Sequence, residues 1–267
     1  MIYFIIPAYN EALNLPDLLT SILDWSRARN EVCHLIAVDD GSRDSTAEIL
    51  QAFRGLPITL VRHPVNRGVH EVFRSGFQAW SQLPCASLDL AVTMEADNTS
   101  ELEILDAMVA KARRGDDVVL ASCYAPDGEV VGTNLFRRFL SFCANTILRC
   151  TPGMPKVYTF SSFYRVHRAP FLEYAMRAYG PRFIEEEGYV CVVEILLKFG
   201  LLNARISEVP LRLDGSRRKG ASKMKILRTI RGYCALFLTR VMGRLATPNP
   251  QARVNEPIVQ SKVADGR

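Results

Sequence analysis

No apolar run in this chain approaches the roughly 18 residues that a membrane-spanning helix needs. The first hydrophobic stretch, Ile2 to Ile6, is too short for a secretion signal. These absences predict a protein made and kept in the cytosol. Cysteine is sparse and unpatterned: seven residues, an odd number, with no Cys-x-x-Cys and no His-Cys cluster. That argues against a disulfide framework and a zinc site and for reduced, structural thiols. Four histidines, at 34, 63, 70 and 167, have no ligand-like spacing. There is no internal repeat, and no Gly/Ser/Pro linker splits the chain. What is present is 267 residues with 48% hydrophobic content, enough for a full core and incompatible with disorder as the overall state.

The first 125 residues alternate short β-branched runs with stretches of helical periodicity. Ile2–Ile6, His34–Val38, Ile58–Val61, Leu88–Met94 and Val118–Ala121 read as strands, and Leu15–Trp25, Ser45–Phe53, Val69–Trp80 and Leu102–Arg113 as helices. This is the pattern of an α/β, mostly parallel, doubly wound sheet, whose ligands gather at the carboxyl ends of the strands. The strict alternation then stops. The spacing predicts a helix over Leu135–Leu148, a strand over Tyr158–Val166, a helix over Tyr189–Phe199 and an extended Ala204–Leu213. A single domain over 1–245 is expected, followed by a tail over 246–267 that carries Pro248, Pro250 and Pro257.

Three polar segments follow predicted strands: Pro7-Ala8-Tyr9-Asn10-Glu11, Asp39-Asp40-Gly41-Ser42 with Asp44-Ser45-Thr46, and Glu95-Ala96-Asp97-Asn98-Thr99-Ser100. Strand polarity brings all three to one edge. Each motif also suits a turn or a helix cap. Carboxylates converging on one crevice nevertheless repel one another unless a cation joins them, and hard oxygen ligands suit Mg²⁺ or Mn²⁺ shared with phosphates. A metal-bridged nucleotide is the economical expectation.

The net charge of +5 is concentrated late in the chain: Arg205 to Arg244 holds eleven basic residues against Glu208 and Asp214. The run Arg217-Arg218-Lys219 lacks interleaved aromatics, which argues against nucleic acid. Ile226, Ile230, Tyr233, Phe237, Val241 and Leu245 form an apolar stripe beside Arg228, Arg231, Arg240 and Arg244. A core helix at the domain edge and an amphipathic helix on the anionic inner face of a membrane both account for it; the arginines favour the latter.

These ordered motifs, with Asn66-Arg67-Gly68, resemble the family-2 glycosyltransferases of GT-A fold. Within that family the second half resembles the dolichyl- and polyprenyl-phosphate mannose or glucose synthases. The resemblance rests on Ser122-Cys123-Tyr124, on Arg137 with Ser141 and Asn145, on Ser161-Ser162-Phe163, on Val193-Glu194-Ile195-Leu196, and on Arg217-Arg218-Lys219-Gly220-Ala221-Ser222-Lys223-Met224. It spans about residues 2 to 240.

The resemblance implies that Pro7, Tyr9, Glu11, Val38 and Asp40 hold the base and ribose of a nucleotide-sugar. Glu95, Ala96, Asp97 and Thr99 would form the metal and diphosphate loop, with Mg²⁺ or Mn²⁺ on Glu95, Asp97 and Thr99. Arg137, Arg217 and Lys223 would face the phosphates of a GDP- or UDP-sugar donor and a lipid phosphate acceptor, at a peripheral membrane surface. The chain departs from the family pattern at Glu95, commonly Asp, at Thr99, commonly Gln, at Cys123, in an arginine's place, and at Tyr158, in an aspartate's. Two further readings are open: transfer to a hydroxyl acceptor with a base drawn from Glu185, Glu186 or Glu187, and a catalytically silent nucleotide-binding module.

Overall fold

A computed structural model describes residues 1–132, 135–149, 154, 157–219, 226–241, 245 and 247–249. In chain order the elements are β1 (Ile2–Ala8), α1 (Leu15–Arg29), β2 (Cys33–Asp39), α2 (Thr46–Ala52), β3 (Ile58–Arg62), α3 (Val69–Ser81), β4 (Leu90–Thr93), α4 (Leu105–Arg113), β5 (Val118–Ser122), β6 (Glu129–Val131), α5 (Leu135–Arg149), β7 (Arg165–Arg168), α6 (Ala169–Tyr179), α7 (Val190–Leu201), β8 (Ile206–Pro210), β9 (Arg212–Asp214) and α8 (Ile226–Val241). Seven strands form one sheet in the order β3-β2-β1-β4-β7-β5-β8, and β6 pairs with β9 in a separate ribbon. β7 runs antiparallel to both its neighbours, whereas the other pairings in the main sheet are parallel.

The sheet is covered on both faces, which is why β1 reads as an almost continuous apolar run. Tyr3 and Ile5 point into one core with Phe73, Phe77 and Trp80 of α3 and most of α7. Ile2, Phe4 and Ile6 point into the other, with Leu15, Leu18, Leu19 and Ile22 of α1 and Leu105, Met108 and Val109 of α4. α3 lies very close to β1: a Cβ on Gly76 would stand 2.7 Å from Ile5 Cγ2. Winding proceeds outward from β1 to β2 and β3, then returns to the opposite side of β1 as β4. The β1/β4 gap is therefore a topological switch point.

The second half departs from its sequence reading. The strand expected over Tyr158–Val166 is confined to Arg165–Arg168, and residues 157–164 lead into it along the carboxyl-end edge of β4, where Phe163 O accepts from Thr93 Oγ1 at 2.7 Å. β7 is short, alternates Arg-Val-His-Arg and runs against its neighbours, so neither length nor periodicity signals it. α6 was not expected, although Pro170 in its first turn is a helix-start signal. The extended 204–213 segment divides into β8, in the main sheet, and the start of β9, in the ribbon. On α8, Tyr233 and Phe237 pack against the core and Leu236 is buried, while Leu238 and Arg231 are exposed, so the described part of the stripe serves as core packing. Of the expected tail only 247–249 are described, and there Asn249 N donates to Ala178 O at 2.8 Å.

One buried ion pair organises the loop before α7. Lys198 and Glu194 have side chains 0% and 1% exposed and lie 2.6 Å apart. Lys198 Nζ also donates to Arg182 O and to Glu185 Oε2, and the Glu194 carboxylate accepts the N–H groups of Glu185 and Glu186. Charges removed from water persist only when paired and otherwise satisfied, and here the loop backbone provides the remaining partners. Lys198→Met is expected to cost about 3–5 kcal/mol in denaturant unfolding, because it leaves Glu194 buried and unpaired. Adding Glu194→Gln, which keeps an acceptor for the two amides, should recover part of that loss. A cost within the roughly 0–1 kcal/mol of a surface pair would contradict this role.

Candidate active site

β1 and β4 are neighbours, so the segments leaving their carboxyl ends, 9–14 and 94–101, face each other across one crevice, with 40–46 after β2 alongside. The first and last of these segments are laced together by side-chain-to-backbone bonds. Asn10 N donates to Ser42 Oγ at 2.9 Å, Glu11 N to Thr46 Oγ1 at 2.8 Å and Ala12 N to Asp44 Oδ2 at 3.1 Å, while Arg43 N returns to Asn10 Oδ1 at 2.8 Å. Gly41, at φ +71°, passes so close to Val65 that a Cβ would meet its carbonyl carbon at 2.5 Å, which fixes glycine in the Asp-Gly-Ser turn.

Asn14, only 1% exposed, is the hub of the crevice. Its Nδ2 donates to Glu11 Oε2 at 2.7 Å and to Lys219 O at 3.2 Å, its Oδ1 accepts from Lys219 N at 3.1 Å, and its carbonyl accepts from Asn98 Nδ2 at 2.9 Å. One side chain thus ties the β1 loop to residue 219, while its own carbonyl ties it to the β4 loop. Residues 214–219 run as a strap over this edge: Asp214 N donates to Thr99 O at 3.2 Å and Lys219 Nζ to Asp17 Oδ2 at 2.7 Å.

The acids of the β4 loop have distinct environments. Asp97 Oδ1 accepts the N–H and hydroxyl of Thr99, at 3.1 and 2.6 Å, and Oδ2 accepts Nε of Arg218 at 2.7 Å together with its Nη2. Thr99, expected as a metal ligand, spends its hydroxyl on orienting Asp97. Glu95 Oε2 accepts from Ser100 Oγ at 3.3 Å. Burial, followed by the charge of Asp97, pushes the Glu95 carboxyl up to about 7. Two hard carboxylates at one edge fit a Mg²⁺ or Mn²⁺ shared with substrate phosphates, since Mg²⁺ commonly takes only one or two protein carboxylates. Among the described residues no cluster of three or more His, Cys, Asp or Glu could hold a metal alone.

The remaining expected residues divide by direction. Pro7, Tyr9 and Glu11 lie partly exposed at the crevice. Val38 is fully buried beneath α3, within reach of Gly76, and offers the crevice only its backbone; Ala96 is buried in the core as well. The Asp40 carboxylate is directed inward: it accepts from His63 Nδ1 at 2.7 Å, Arg67 N at 2.8 Å and Gly68 N at 2.8 Å. Asp40 therefore locks the β2 loop to the Asn66-Arg67-Gly68 turn. Arg217 is exposed, 3.9 Å from Glu101, and the residue on Asp97 is its neighbour Arg218. The backbone of Arg137 lies in α5, but its side chain, like the whole of Lys223, is outside the described residues.

Two contributors were invisible in the sequence. Asn14 sits at a helix start and reads as a cap. Tyr189, at the start of α7, stacks on Phe163 with centroids 5.5 Å apart. Its phenol is raised by burial, lowered by Arg218 and raised again by Asp97, Glu95 and Glu11, which places the ring within the field of the crevice. Glu185, a candidate base, is raised by burial but held below its usual range overall by bonds to Arg182 and Lys198. Glu186 is raised by burial and by the charge of Glu194.

The crevice lies at the β1/β4 switch point with two acids after β4, on a fold of GT-A architecture. The family model for glycosyl transferase family 2 matches residues 3–178, and the chain belongs to that family. It is 26% identical over 232 residues to an undecaprenyl-phosphate 4-deoxy-4-formamido-L-arabinose transferase of Salmonella choleraesuis, covering 85% of this chain and 63% of that protein. It is also 26% identical over 226 residues to a dolichol-phosphate mannosyltransferase of Pyrococcus furiosus, covering 83% and 58%. The chain thus spans about three fifths of the length of these relatives. In fold it is similar to glucosyl-3-phosphoglycerate synthase from Mycobacterium tuberculosis, solved with Mn²⁺, UDP and glucosyl-3-phosphoglycerate, at TM-score 0.57 and 18% identity over 94% of this chain and 81% of that one. It is similar also to TarS of S. aureus, at TM-score 0.53 and 19% identity over 80% and 60%.

The state of Glu95 makes a testable prediction for the metal-free protein. A carboxyl whose folded pKa lies above its unfolded value favours folding while protonated, and that advantage is lost as pH rises from about 4.5 to about 7. Glu95→Gln imitates the protonated form. In EDTA it should raise the melting temperature at pH 8 and leave it nearly unchanged at pH 4.5; a lower melting temperature at pH 8 would contradict the assignment.

Proposed function

We propose that this chain moves a sugar from a nucleotide-sugar, a GDP- or UDP-sugar, onto the phosphate of a polyprenyl lipid, with inversion, using Mg²⁺ or Mn²⁺ held by Glu95 and Asp97. The observation that carries this reading is the strap: the basic 217–219 run, part of the stretch resembling the lipid-phosphate synthases, lies directly across the acidic loop of the donor crevice. Its likeness to an undecaprenyl-phosphate sugar transferase and a dolichol-phosphate mannosyltransferase supports the same acceptor class.

A phosphate monoester is anionic near neutral pH. Its oxygen can form the bond to the anomeric carbon while the bond to the donor diphosphate breaks and its electron pair leaves with the nucleoside diphosphate. No general base is required, so the protein's task is alignment and charge neutralisation. The metal, when bound, supplies Lewis-acid stabilisation of the leaving diphosphate. Pro7, Tyr9 and Glu11 line the base and ribose side; Asp40 supports it by fixing the 66–68 turn, and Val38 through its backbone. Asn14 and Asn98 hold the β1 and β4 loops together, and Arg137, Arg217 and Lys223 serve the phosphates. Tyr189, backed by Phe163, walls the crevice.

No helix among the described residues is long and apolar enough to cross a membrane. Phe142 and Ile147 of α5 and Leu238 of α8 are exposed on two helices that pack together, with Arg231 also exposed. These side chains support a peripheral position at an anionic membrane face, where each basic residue contributes about 1 kcal/mol.

The test is transfer from a panel of GDP- and UDP-sugars to a short-chain polyprenyl phosphate, compared with transfer to the matching free alcohol. Product is expected with the phosphate alone, and Glu185→Ala, Glu186→Ala and Glu187→Ala should each leave a substantial rate. Transfer to the alcohol alone, abolished by one of these changes, would replace this reading with a hydroxyl acceptor and a carboxylate base.

A further inference from the structure

Arg218 is the position in the strap that neither composition nor resemblance singles out. In Arg-x-x-Gly-x-Ser-Lys it is one of the unspecified positions, between Arg217 and the glycine. The structure nonetheless puts it on an acid of the β4 loop: Nε and Nη2 both donate to Asp97 Oδ2, the oxygen left over after Thr99 has taken Oδ1. The pair is mostly withdrawn from solvent, with side chains 26% and 11% exposed. The strap that carries Arg218 is anchored independently on both sides of it. Asp214 N is on Thr99 O, and Lys219 is on Asn14 through both its N–H and its carbonyl and on Asp17 through its ammonium. The guanidinium is therefore delivered to Asp97 by the fold.

We propose that Arg218 is a tethered cation that holds Asp97 in the empty enzyme and must give it up to the metal ion, its side chain swinging away while the 214–219 strap stays anchored, after which the freed guanidinium engages the donor diphosphate. This rests on the reading of Asp97 as a metal ligand. The competition follows from charge and space. A divalent ion on Oδ2 and a guanidinium forked onto the same oxygen require the same lone pairs and repel each other. The exchange is balanced by the donor, because a diphosphate brings more negative charge than one divalent ion neutralises, and the displaced fork is suited to phosphate oxygens. By linkage, whatever the Asp97–Arg218 contact contributes to the metal-free protein is subtracted from the affinity for the metal alone and returned when the diphosphate arrives.

The experiment is Mn²⁺ titration of the purified full chain, followed by the electron paramagnetic resonance signal of free Mn²⁺, without nucleotide and then with GDP or UDP. Arg218→Gln should bind Mn²⁺ alone about tenfold more tightly than the unsubstituted protein, a coupling of ordinary size. With diphosphate present the order should reverse, Arg218→Gln binding Mn²⁺ the more weakly. Arg218→Lys, which keeps the charge and loses the fork, should fall between the two and covers the case in which the glutamine variant fails to fold. Asp97→Asn should lose Mn²⁺ under both conditions. Unchanged or weaker binding of Mn²⁺ alone by both Arg218 variants, with Asp97→Asn still inactive in binding, would overturn the latch and leave the metal site standing. A tighter metal site without the reversal would overturn the transfer of Arg218 to the diphosphate. Mn²⁺ binding that survives Asp97→Asn, or no binding by any form with either diphosphate, would remove Asp97 from the metal set and overturn the underlying reading as well.

Discussion

The constraint on which this structure turns is the return of β4 to the open side of β1. That crossover sets two loops face to face at the carboxyl end of the sheet, one bearing Glu11 and the other Glu95 and Asp97. Carboxylates collected at one edge cannot all remain ionised without compensation, and the molecule resolves the conflict in two ways. Glu95 is displaced toward its neutral form, and Asp97 is given the Arg218 guanidinium by a strap arriving from the far end of the chain. Asn14 makes this possible, because one buried amide bonds both the strap at Lys219 and Glu11 of the β1 loop.

The positional logic of the donor side was legible in the sequence. Periodicities over the first 125 residues give the strands and helices in their observed order, and the polar segments that follow β1, β2 and β4 meet in space as strand polarity requires. The roles of individual acids were not legible. Asp40 and Asp97 look alike in the sequence, yet the first turns inward to His63 and the 66–68 turn while the second turns outward to Arg218. Local pattern cannot distinguish them, since their partners are 23 and 121 residues away. Arg217 and Arg218 are similarly indistinguishable until the strap's anchors at 214 and 219 fix which side chain reaches the crevice.

The second half was harder to read because long-range pairing and buried charge override local propensity there. β7 is four residues long and contains Arg165, which is buried and donates to the carbonyls of Phe160, Ser162 and Val192. Burial lowers Arg165 to about 10 and the neighbouring His167 to about 3, so this layer holds a neutral imidazole beside a guanidinium. Arg165, through the carbonyls of Phe160 and Ser162, and the Glu194–Lys198 pair, through the backbone of 182–186, hold two segments that carry Phe163 and lead to Tyr189 at the crevice. Polar residues that read as surface in the sequence therefore position the wall of the site from within.

The central claim is that the edge between β1 and β4 is a metal-dependent nucleotide site built on Glu95 and Asp97. The most direct measurement is anomalous diffraction at the manganese edge from crystals grown with Mn²⁺ and a nucleoside diphosphate. The account predicts a single strong peak within coordination distance of both carboxylates, with the diphosphate on its far side and the base beside Tyr9 and Glu11. A manganese peak remote from Asp97, or a nucleotide seated elsewhere on the sheet, would contradict it.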